Sequence, residues 1–315
     1  MRVVFLGTGE FACPALRALV DAGHQVLRAV SQPDRPAGRG RVLRPSFVHA
    51  LADELGITHI QTSDVNALPL EQTFGDADIG VVAAFGQKIG PAILQRLPRG
   101  CVNIHGSLLP RYRGAAPYQW AIINGERETG VTVFQLNERW DDGPILLQRR
   151  IEIGPTETAA ELHDRLAELG AEAIVAALAA LESGRLSPAP QDKSQATRAP
   201  KLTREHSRID WSLPARQVVG WINGLWSWPR ATCVLETADG RRQRLALARA
   251  AVADEQAAPA QAAVGGFLDD LTVQAGRGRV RLLEVVPAGG KLMSFDAFAR
   301  GRRLGPGARL CPLGQ

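Results

Sequence analysis

The stretch Val3-Val4-Phe5-Leu6-Gly7-Thr8-Gly9 joins an apolar run to a glycine-containing turn at the start of the chain. The apolar run predicts a buried strand, and residues 14–22, which open on a proline, predict a helix after it. Apolar runs and helix-like segments keep alternating through the first half, at 26–30, 46–55, 79–84, 91–97 and 102–104. This alternation predicts βαβ units, in which a parallel sheet carries helices on both faces.

The second half of the chain differs in composition and in its pattern of predicted strands and helices. Two further strands predicted at 129–136 and 145–153 are followed by an Ala-, Leu- and Glu-rich segment, 158–183, which predicts a long helix. Residues 184–203 are rich in Pro, Ser, Ala and Gln and predict an extended linker. Beyond them we expect a helix at 214–224 and short strands near 230–236, 244–248, 271–275 and 280–286. Short strands between Gly and Asp turns predict a small β-barrel, for which the OB type is the commonest candidate.

These patterns predict an α/β fold with an N-terminal domain at 1–183, a linker at 184–203 and a smaller OB-like domain at 204–315. The chain carries a net charge of +5, and residues 204–315 hold 16 Lys and Arg against 10 Asp and Glu, a net of +6. A basic C-terminal third is typical of proteins with an anionic partner, most often nucleic acid, with the alternative that the charge only aids solubility. The four scattered cysteines predict neither a disulfide framework nor a zinc site, and we expect no metal. We expect no secretion signal and no membrane span, hence a cytoplasmic protein, and a monomer.

Three polar side chains follow apolar runs that look like buried strands. Asn103 and His105 alternate at the end of one run, so the pleat of a strand sends both to the same side. Asp141 lies in an Asp-Asp-Gly turn between the two strands predicted on either side of it. An amide can hydrogen-bond a developing oxyanion, an imidazole can move an amine's proton, and a carboxylate can hold the imidazole. The set predicts acyl-type transfer to an amine, with the alternative that Asp141 is only a turn residue.

Residues 7–12 also match the sequence motif of a dinucleotide-binding turn, Gly7-x-Gly9-x-x-Ala12. A dinucleotide-binding fold has an acidic residue at the end of its second strand. Here Pro33 precedes Asp34, and Asp34 begins a basic loop. We favour a plain strand-to-helix turn. An NAD-type oxidoreductase remains the alternative on the residues alone.

The basic loop at 33–45 is rich in Pro and Gly and contains four arginines, Arg35, Arg39, Arg41 and Arg44. Guanidinium groups suit bidentate contacts with phosphate. The loop leaves the carboxyl edge of the predicted sheet, where open α/β folds bind ligands. It therefore predicts a phosphate-rich partner, with a solvated surface loop as the alternative.

Taken together, these motifs resemble the methionyl-tRNA formyltransferases over nearly the whole chain. Residues 103–110 (Asn-Ile-His-Gly-Ser-Leu-Leu-Pro) and 141–143 (Asp-Asp-Gly) match the wider formyltransferase superfamily, and residues 33–40 (Pro-Asp-Arg-Pro-Ala-Gly-Arg-Gly) match the tRNA enzymes. Three places depart from the family pattern. Gly9 stands where proline is usual, Asn223 stands where arginine is usual, and residues 226–230 (Trp-Ser-Trp-Pro-Arg) stand where the family has Asn-Pro-Trp-Pro-Gly.

The resemblance implies a Rossmann-like N-terminal formyltransferase domain and an OB-like C-terminal barrel. It implies 10-formyltetrahydrofolate as formyl donor and the α-amine of methionyl initiator tRNA as acceptor, for translation initiation. The implied catalytic residues are Asn103, His105 and Asp141. The implied folate site is lined by Ser107, Leu108, Leu109 and Pro110, and the implied tRNA contacts are Arg35, Arg39, Arg41 and Arg44.

Two other functions remain open at this stage. A folate-dependent N-formyltransferase acting on an amino sugar would use the same three catalytic side chains, but would not need the arginine loop. A non-catalytic RNA-binding protein would use the basic barrel and leave Asn103, His105 and Asp141 unexplained.

Overall fold

A seven-stranded sheet organises the first half of the chain in the computed structural model, which describes residues 1–37, 42–257 and 262–313. In spatial order its strands are β10 (Ile145–Glu152), β9 (Glu128–Gln135), β7 (Cys101–His105), β6 (Ile79–Ala83), β1 (Arg2–Gly7), β2 (Gln25–Ser31) and β5 (His59–Gln61). The five strands from β7 to β5 pair in parallel, and β9 runs antiparallel to β7. The predicted Rossmann-like α/β architecture is confirmed, and the carboxyl ends of the parallel strands share one edge.

Helices alternate with these strands as the sequence predicts. They are α1 (Cys13–Asp21), α2 (Phe47–Glu54), α3 (Leu70–Phe74), α4 (Pro91–Arg96), α5 (Pro117–Ile123) and α6 (Ala159–Glu182). The four predicted helices begin and end within one residue of their expected bounds. Helices α3 and α5 are not predicted by the sequence, because five and seven residues are too few for a helical period to show.

Buried side chains on both sides of the sheet explain the continuous apolar runs. On one face Val4 and Leu6 belong to a buried cluster that includes Phe74, and the alternate residues of β1, Val3 and Phe5, are also 0% exposed. Strands buried on both faces have continuous apolar sequences, whereas strands with one solvent-exposed face alternate apolar and polar residues.

The arginine loop contains a two-stranded antiparallel ribbon, which the sequence analysis did not predict. Its strands are β3 (Arg35–Ala37) and β4 (Val42–Arg44), and Asp34 anchors its base. One Asp34 oxygen accepts a hydrogen bond from the Ser46 backbone N–H at 3.0 Å and lies 3.0 Å from Nδ1 of His49. Asp34 therefore closes the ribbon onto the start of α2 and does not take the ribose-binding place of a dinucleotide fold.

Part of the predicted linker pairs with the first half of the chain. Most of residues 184–203 have no regular secondary structure, but β11 (Arg198–Ala199) pairs in parallel with β8 (Arg113–Gly114), and a single 3-10 turn forms at Lys193–Gln195. This pairing holds the segment beside the turn that follows β7.

The C-terminal region forms an antiparallel, nearly closed barrel, as predicted. Its elements are α7 (Ala215–Gly224), β12 (Ala231–Glu236), β13 (Arg242–Asp254), β14 (Val273–Gln274), β15 (Arg279–Pro287), β16 (Met293–Ser294), α8 (Phe295–Arg302) and β17 (Arg309–Pro312). The sheet order is β14-β15-β13-β12-β17, and the backbone of Gly266 and Phe267 bridges β17 to β14. The sequence analysis missed β16, α8 and β17.

The contacts of Asn223 explain why an asparagine suits a position where arginine is usual in the family. It is 2% exposed on α7, and its amide donates to the Ala250 carbonyl at 3.0 Å and accepts from the Ala250 N–H at 2.8 Å. The amide thus satisfies both backbone groups of one β13 residue, whereas an arginine would bring a charge into this buried place.

By their internal contacts the residues group into two units. One comprises 1–117, 130–151 and 163–199, and the other 118–129, 152–162 and 200–315. The domain bounds expected from the sequence, 1–183, 184–203 and 204–315, stay a prediction.

Candidate active site

The His105 imidazole lies at the carboxyl end of β7 and is 6% exposed. Its Nε2 donates to the carbonyl oxygen of Tyr112 at 2.9 Å, since a carbonyl can only accept. In the neutral ring this contact keeps the proton on Nε2 and leaves the lone pair on Nδ1. Nδ1 lies 3.9 Å from Oδ2 of Asp141. That distance is too long for a hydrogen bond, but it is an ion-pair distance for a protonated ring.

The Asp141 carboxylate reaches the site from the turn between β9 and β10. The residue is 8% exposed and has a positive φ of 51°, a conformation that aspartate tolerates better than most side chains. Its Oδ2 accepts a hydrogen bond from the Gly114 backbone N–H at 2.8 Å. The same oxygen therefore faces both His105 and a fixed backbone donor, so the carboxylate has a defined place at the site.

Asn103 lies on β7 two residues before His105, and alternate residues of a strand share a face. Its register partners are Val82 on β6 and Phe134 on β9, and His105 meets the Phe134 ring edge-on at 6.5 Å. Asn103 is half-buried, and among the described residues its amide has no hydrogen-bond partner. The structure thus brings His105 and Asp141 together and leaves a donor on the same face of the strand.

The backbone of residues 107–110 is held by Thr132, which the sequence analysis missed. The Thr132 hydroxyl donates to the Ser107 carbonyl at 2.7 Å and accepts from the Leu109 N–H at 3.0 Å. Gln148 Nε2 donates to the Leu109 carbonyl at 2.9 Å. A lone threonine within the apolar run of β9 is the sequence signal that could have revealed it, because a buried hydroxyl needs a partner.

The side chains of the same segment differ in exposure. Ser107 is fully buried and its hydroxyl donates to the Arg111 carbonyl at 2.7 Å, and Leu109 is 3% exposed. Leu108 and Pro110 are half-buried. The expected role of these four residues in folate binding stays a prediction.

Asp142, the neighbour of Asp141, is surrounded by cations. Its carboxylate lies 2.7 Å from Arg113, 3.5 Å from Arg139 and 3.7 Å from Lys193. Burial acts to raise the pKa of Asp142, but these three charges outweigh it and hold the pKa below its ordinary value. Asp142 therefore stays ionised and is paired with these cations, whereas Asp141 is the aspartate that faces His105.

The backbone amides after β1 are already occupied. The N–H groups of Thr8 and Gly9 both point to the Ala84 carbonyl, at 3.3 and 3.2 Å. A dinucleotide site needs such amides to face the pyrophosphate. This turn therefore joins β1 to the loop after β6, and it does not form the phosphate cradle of an NAD-type oxidoreductase.

Two of the four predicted tRNA contacts lie on the ribbon. Arg35 and Arg44 are exposed register partners across β3 and β4, and Arg35 Nη2 also donates to Gln32 Oε1 at 2.5 Å. Arg39 and Arg41 lie outside the described residues. Within the described ranges, no cluster of three His, Cys, Asp or Glu side chains could hold a metal ion, and no helix is long and apolar enough to cross a bilayer.

Comparison with known proteins identifies the family. The formyl transferase profile matches residues 1–178, and the profile of the formyl transferase C-terminal domain matches 201–303. The methionyl-tRNA formyltransferase of Heliobacterium modesticaldum is 44% identical over 98% of this chain and 99% of its own length. That of Chelativorans sp. is also 44% identical, over the same shares.

Solved structures share the fold at low identity. An N-formyltransferase from Helicobacter canadensis, solved with folinic acid and dTDP-3-aminofucose, has a TM-score of 0.65 at 15% identity, covering 89% of this chain and 98% of that one. HypX from Aquifex aeolicus, solved with tetrahydrofolic acid, has a TM-score of 0.59 at 19% identity, covering 95% of this chain and 47% of that one. With both domain profiles matched and full-length relatives above 40% identity, the chain belongs to the formyl transferase family, among the methionyl-tRNA formyltransferases.

Proposed function

We propose that this chain transfers the formyl group of 10-formyltetrahydrofolate to the α-amine of methionyl initiator tRNA, giving N-formylmethionyl-tRNA. The observation that carries the proposal is the 44% identity to a methionyl-tRNA formyltransferase over 98% of the chain. Similarity of that kind extends over the catalytic and the basic C-terminal regions alike. The sugar N-formyltransferase, at 15% identity, supports the fold alone. The reaction would take place in the bacterial cytoplasm.

In this reaction the neutral amine attacks the formyl carbon and a new N–C bond forms. The bond from that carbon to N10 of the folate breaks, the amine loses one proton, and N10 gains one. Negative charge develops on the formyl oxygen during the attack. The Asn103 amide would donate to that oxygen, and a preorganised donor of this kind is worth about 3 kcal/mol of transition-state stabilisation.

His105 would carry the proton from the amine to N10. Because Nε2 is committed to the Tyr112 carbonyl, Nδ1 is the atom that takes up the proton and releases it. Protonation at Nδ1 places the positive ring 3.9 Å from the Asp141 carboxylate, which would stabilise it. One copy of the chain supplies all of these groups.

The substrates would occupy surfaces next to this face. The backbone of residues 107–110 would wall the folate site, with Leu108 and Pro110 as the side chains that remain partly accessible. The four arginines of the segment 33–45, Arg35, Arg39, Arg41 and Arg44, would contact phosphates of the tRNA acceptor end.

The test is formylation of methionyl initiator tRNA by the purified chain with 10-formyltetrahydrofolate, read as acid-stable N-formylmethionine. Deacylated tRNA and a nucleotide-linked amino sugar are the comparison acceptors. We expect product only with the charged tRNA, and a loss of about 10² to 10⁴ in kcat for both His105→Ala and Asp141→Asn. Formylation of the amino sugar in place of the tRNA, or wild-type turnover by either variant, would refute the proposal.

A further inference from the structure

Gln191, from the segment predicted as a linker, is buried beside the candidate active site. Its Nε2 donates to the Asp141 carbonyl at 2.9 Å and to the Gly143 carbonyl at 2.7 Å. Its Oε1 accepts from Arg113 Nη2 at 2.6 Å and Nε at 3.2 Å. Only 8% of the residue is exposed. Both amide protons and both lone pairs are used, so the orientation of the amide is fixed by its partners.

The turn that Gln191 holds cannot easily adopt another shape. Asp141 has a positive φ, and a Cβ added at Gly143 would lie 1.7 Å from the Gln135 carbonyl oxygen. The carbonyls of both turn residues point inward, where a carbonyl without a donor costs the protein its desolvation energy. Gln191 is the side chain that supplies both donors.

Arg113 extends the same network to the other side of the turn. While Oε1 of Gln191 holds its Nε and Nη2, its Nη1 lies 2.7 Å from the Asp142 carboxylate. Gln191 thus binds two backbone carbonyls of the turn, and Arg113 binds the side chain of Asp142. Both backbone carbonyls receive their hydrogen bonds from the Gln191 amide.

The residues after Gln191 hold the partners of His105 and Asp141. The Thr197 hydroxyl accepts from the Tyr112 N–H at 2.8 Å, and the Thr197 carbonyl accepts from the Arg113 N–H at 2.8 Å. Ala199 pairs with Gly114 across β11 and β8. Tyr112 offers the carbonyl that binds His105, and Gly114 offers the N–H that binds Asp141. One extended segment therefore supports both halves of the pair.

We propose that Gln191 is a positioning residue for formyl transfer, holding the Asp141 carboxylate at its distance from His105. The proposal rests on the proposed function, in which Asp141 stabilises the protonated ring. It assigns a role in the reaction to a segment that connects the two regions matched by the family profiles.

The test is a double-mutant cycle on kcat with Gln191→Leu and Asp141→Asn, measured at saturating 10-formyltetrahydrofolate and methionyl-tRNA. A displacement of about 1 Å at a reacting group costs about 10²-fold, so we expect Gln191→Leu to lower kcat by about 10- to 100-fold. Both KM values should stay within about threefold of wild type. In the Asp141→Asn background the same change should lower kcat less than twofold, since residues that act through each other are not additive.

Two further variants keep the test decisive. Gln191→Glu keeps the volume and the Arg113 contact but loses both donors to the turn, so it should lower kcat like the leucine variant, and it decides the matter if Gln191→Leu does not fold. Gln195→Leu, an exposed change in the same segment, is the control and should leave kcat unchanged.

The outcomes separate the two ideas. A kcat within twofold of wild type for a folded Gln191 variant, or an additive loss in the Asp141→Asn background, overturns the role of Gln191 and leaves the proposed function standing. Wild-type turnover by Asp141→Asn alone overturns the proposed catalytic site itself. A loss of thermal stability that matches the loss of kcat under assay conditions would show a merely structural role and also overturn the proposal.

Discussion

Arg35 lies directly opposite Arg44 across the antiparallel ribbon of β3 and β4. Like charges at directly opposed strand positions repel each other, so this pair of arginines does not stabilise the ribbon. A polyanion placed against the ribbon would remove that repulsion, which agrees with the proposed tRNA contact.

We therefore expect Arg44→Ala to weaken tRNA binding and to reduce the slope of log affinity against log salt by about 1, since one phosphate contact is lost. The affinity for 10-formyltetrahydrofolate should not change. Titration of tRNA at several salt concentrations, with folate binding measured in parallel, is the check. Arg17→Ala removes another exposed charge, from α1, where it pairs with Glu54, and serves as control. An equal effect of the two variants would contradict a specific role for the ribbon.

Replacing Asn103 by Leu should lower kcat by about 10² to 10³, because the amide is proposed to act only as charge develops on the formyl oxygen. Binding of 10-formyltetrahydrofolate, which precedes that charge, should be kept. Asn103→Asp should be slower still, since a carboxylate repels the oxyanion. Single-turnover rates with enzyme in excess measure both variants. A leucine variant that raises KM and keeps kcat would assign Asn103 to binding.

Thr132→Val should destabilise the first unit by about 1–3 kcal/mol, because it leaves the Leu109 N–H and the Ser107 carbonyl without their buried partner. If residues 107–110 wall the folate site, the same variant should also bind 10-formyltetrahydrofolate more weakly. Urea unfolding and a folate titration measure the two effects. The control is Thr73→Val, the same change at a buried threonine of the same unit outside this network. Loss of stability with unchanged folate affinity would place the folate elsewhere.

Glu161 should make stability depend on pH in the acid range. Burial acts to raise the pKa of this carboxyl, but hydrogen bonds from Arg249 and Thr158 outweigh it and lower the pKa from its ordinary 4.5 to about 2. A lowered pKa in the folded state stabilises the fold above pH 4.5, and the contribution fades as the pH falls toward 2.

Glu161→Gln should therefore be less stable than wild type at pH 7, and the difference should shrink steadily below pH 4.5. Urea unfolding at pH 7, 4 and 3 gives the comparison. Glu172→Gln, an exposed position on the same helix, should show no such trend. A difference that stays constant with pH would mean that the ion pair with Arg249 does not act in the folded protein.

The sequence alone predicted six of the seven strands of the sheet, all but β5, together with the main helices and the three chemical groups, because these depend on local patterns. Apolar runs of strand length, prolines at helix starts and polar residues at strand ends are all visible without neighbours. It also determined the family, through motifs such as residues 33–40. Elements as short as α3, β11 and β16 carry too few residues for a period, and were missed.

Only the tertiary structure decided which atoms meet. His105 and Asp141 are 36 positions apart, and their 3.9 Å separation arises from strand order. The Tyr112 carbonyl and the Gly114 N–H act through backbone atoms, which leave no mark in side-chain identity. Gln191 looks like one polar residue among many in a Pro-rich linker. Its buried amide can hold the Asp141 turn only because the chain returns to that turn in the folded protein. Long-range pairing of this kind cannot be predicted from local composition.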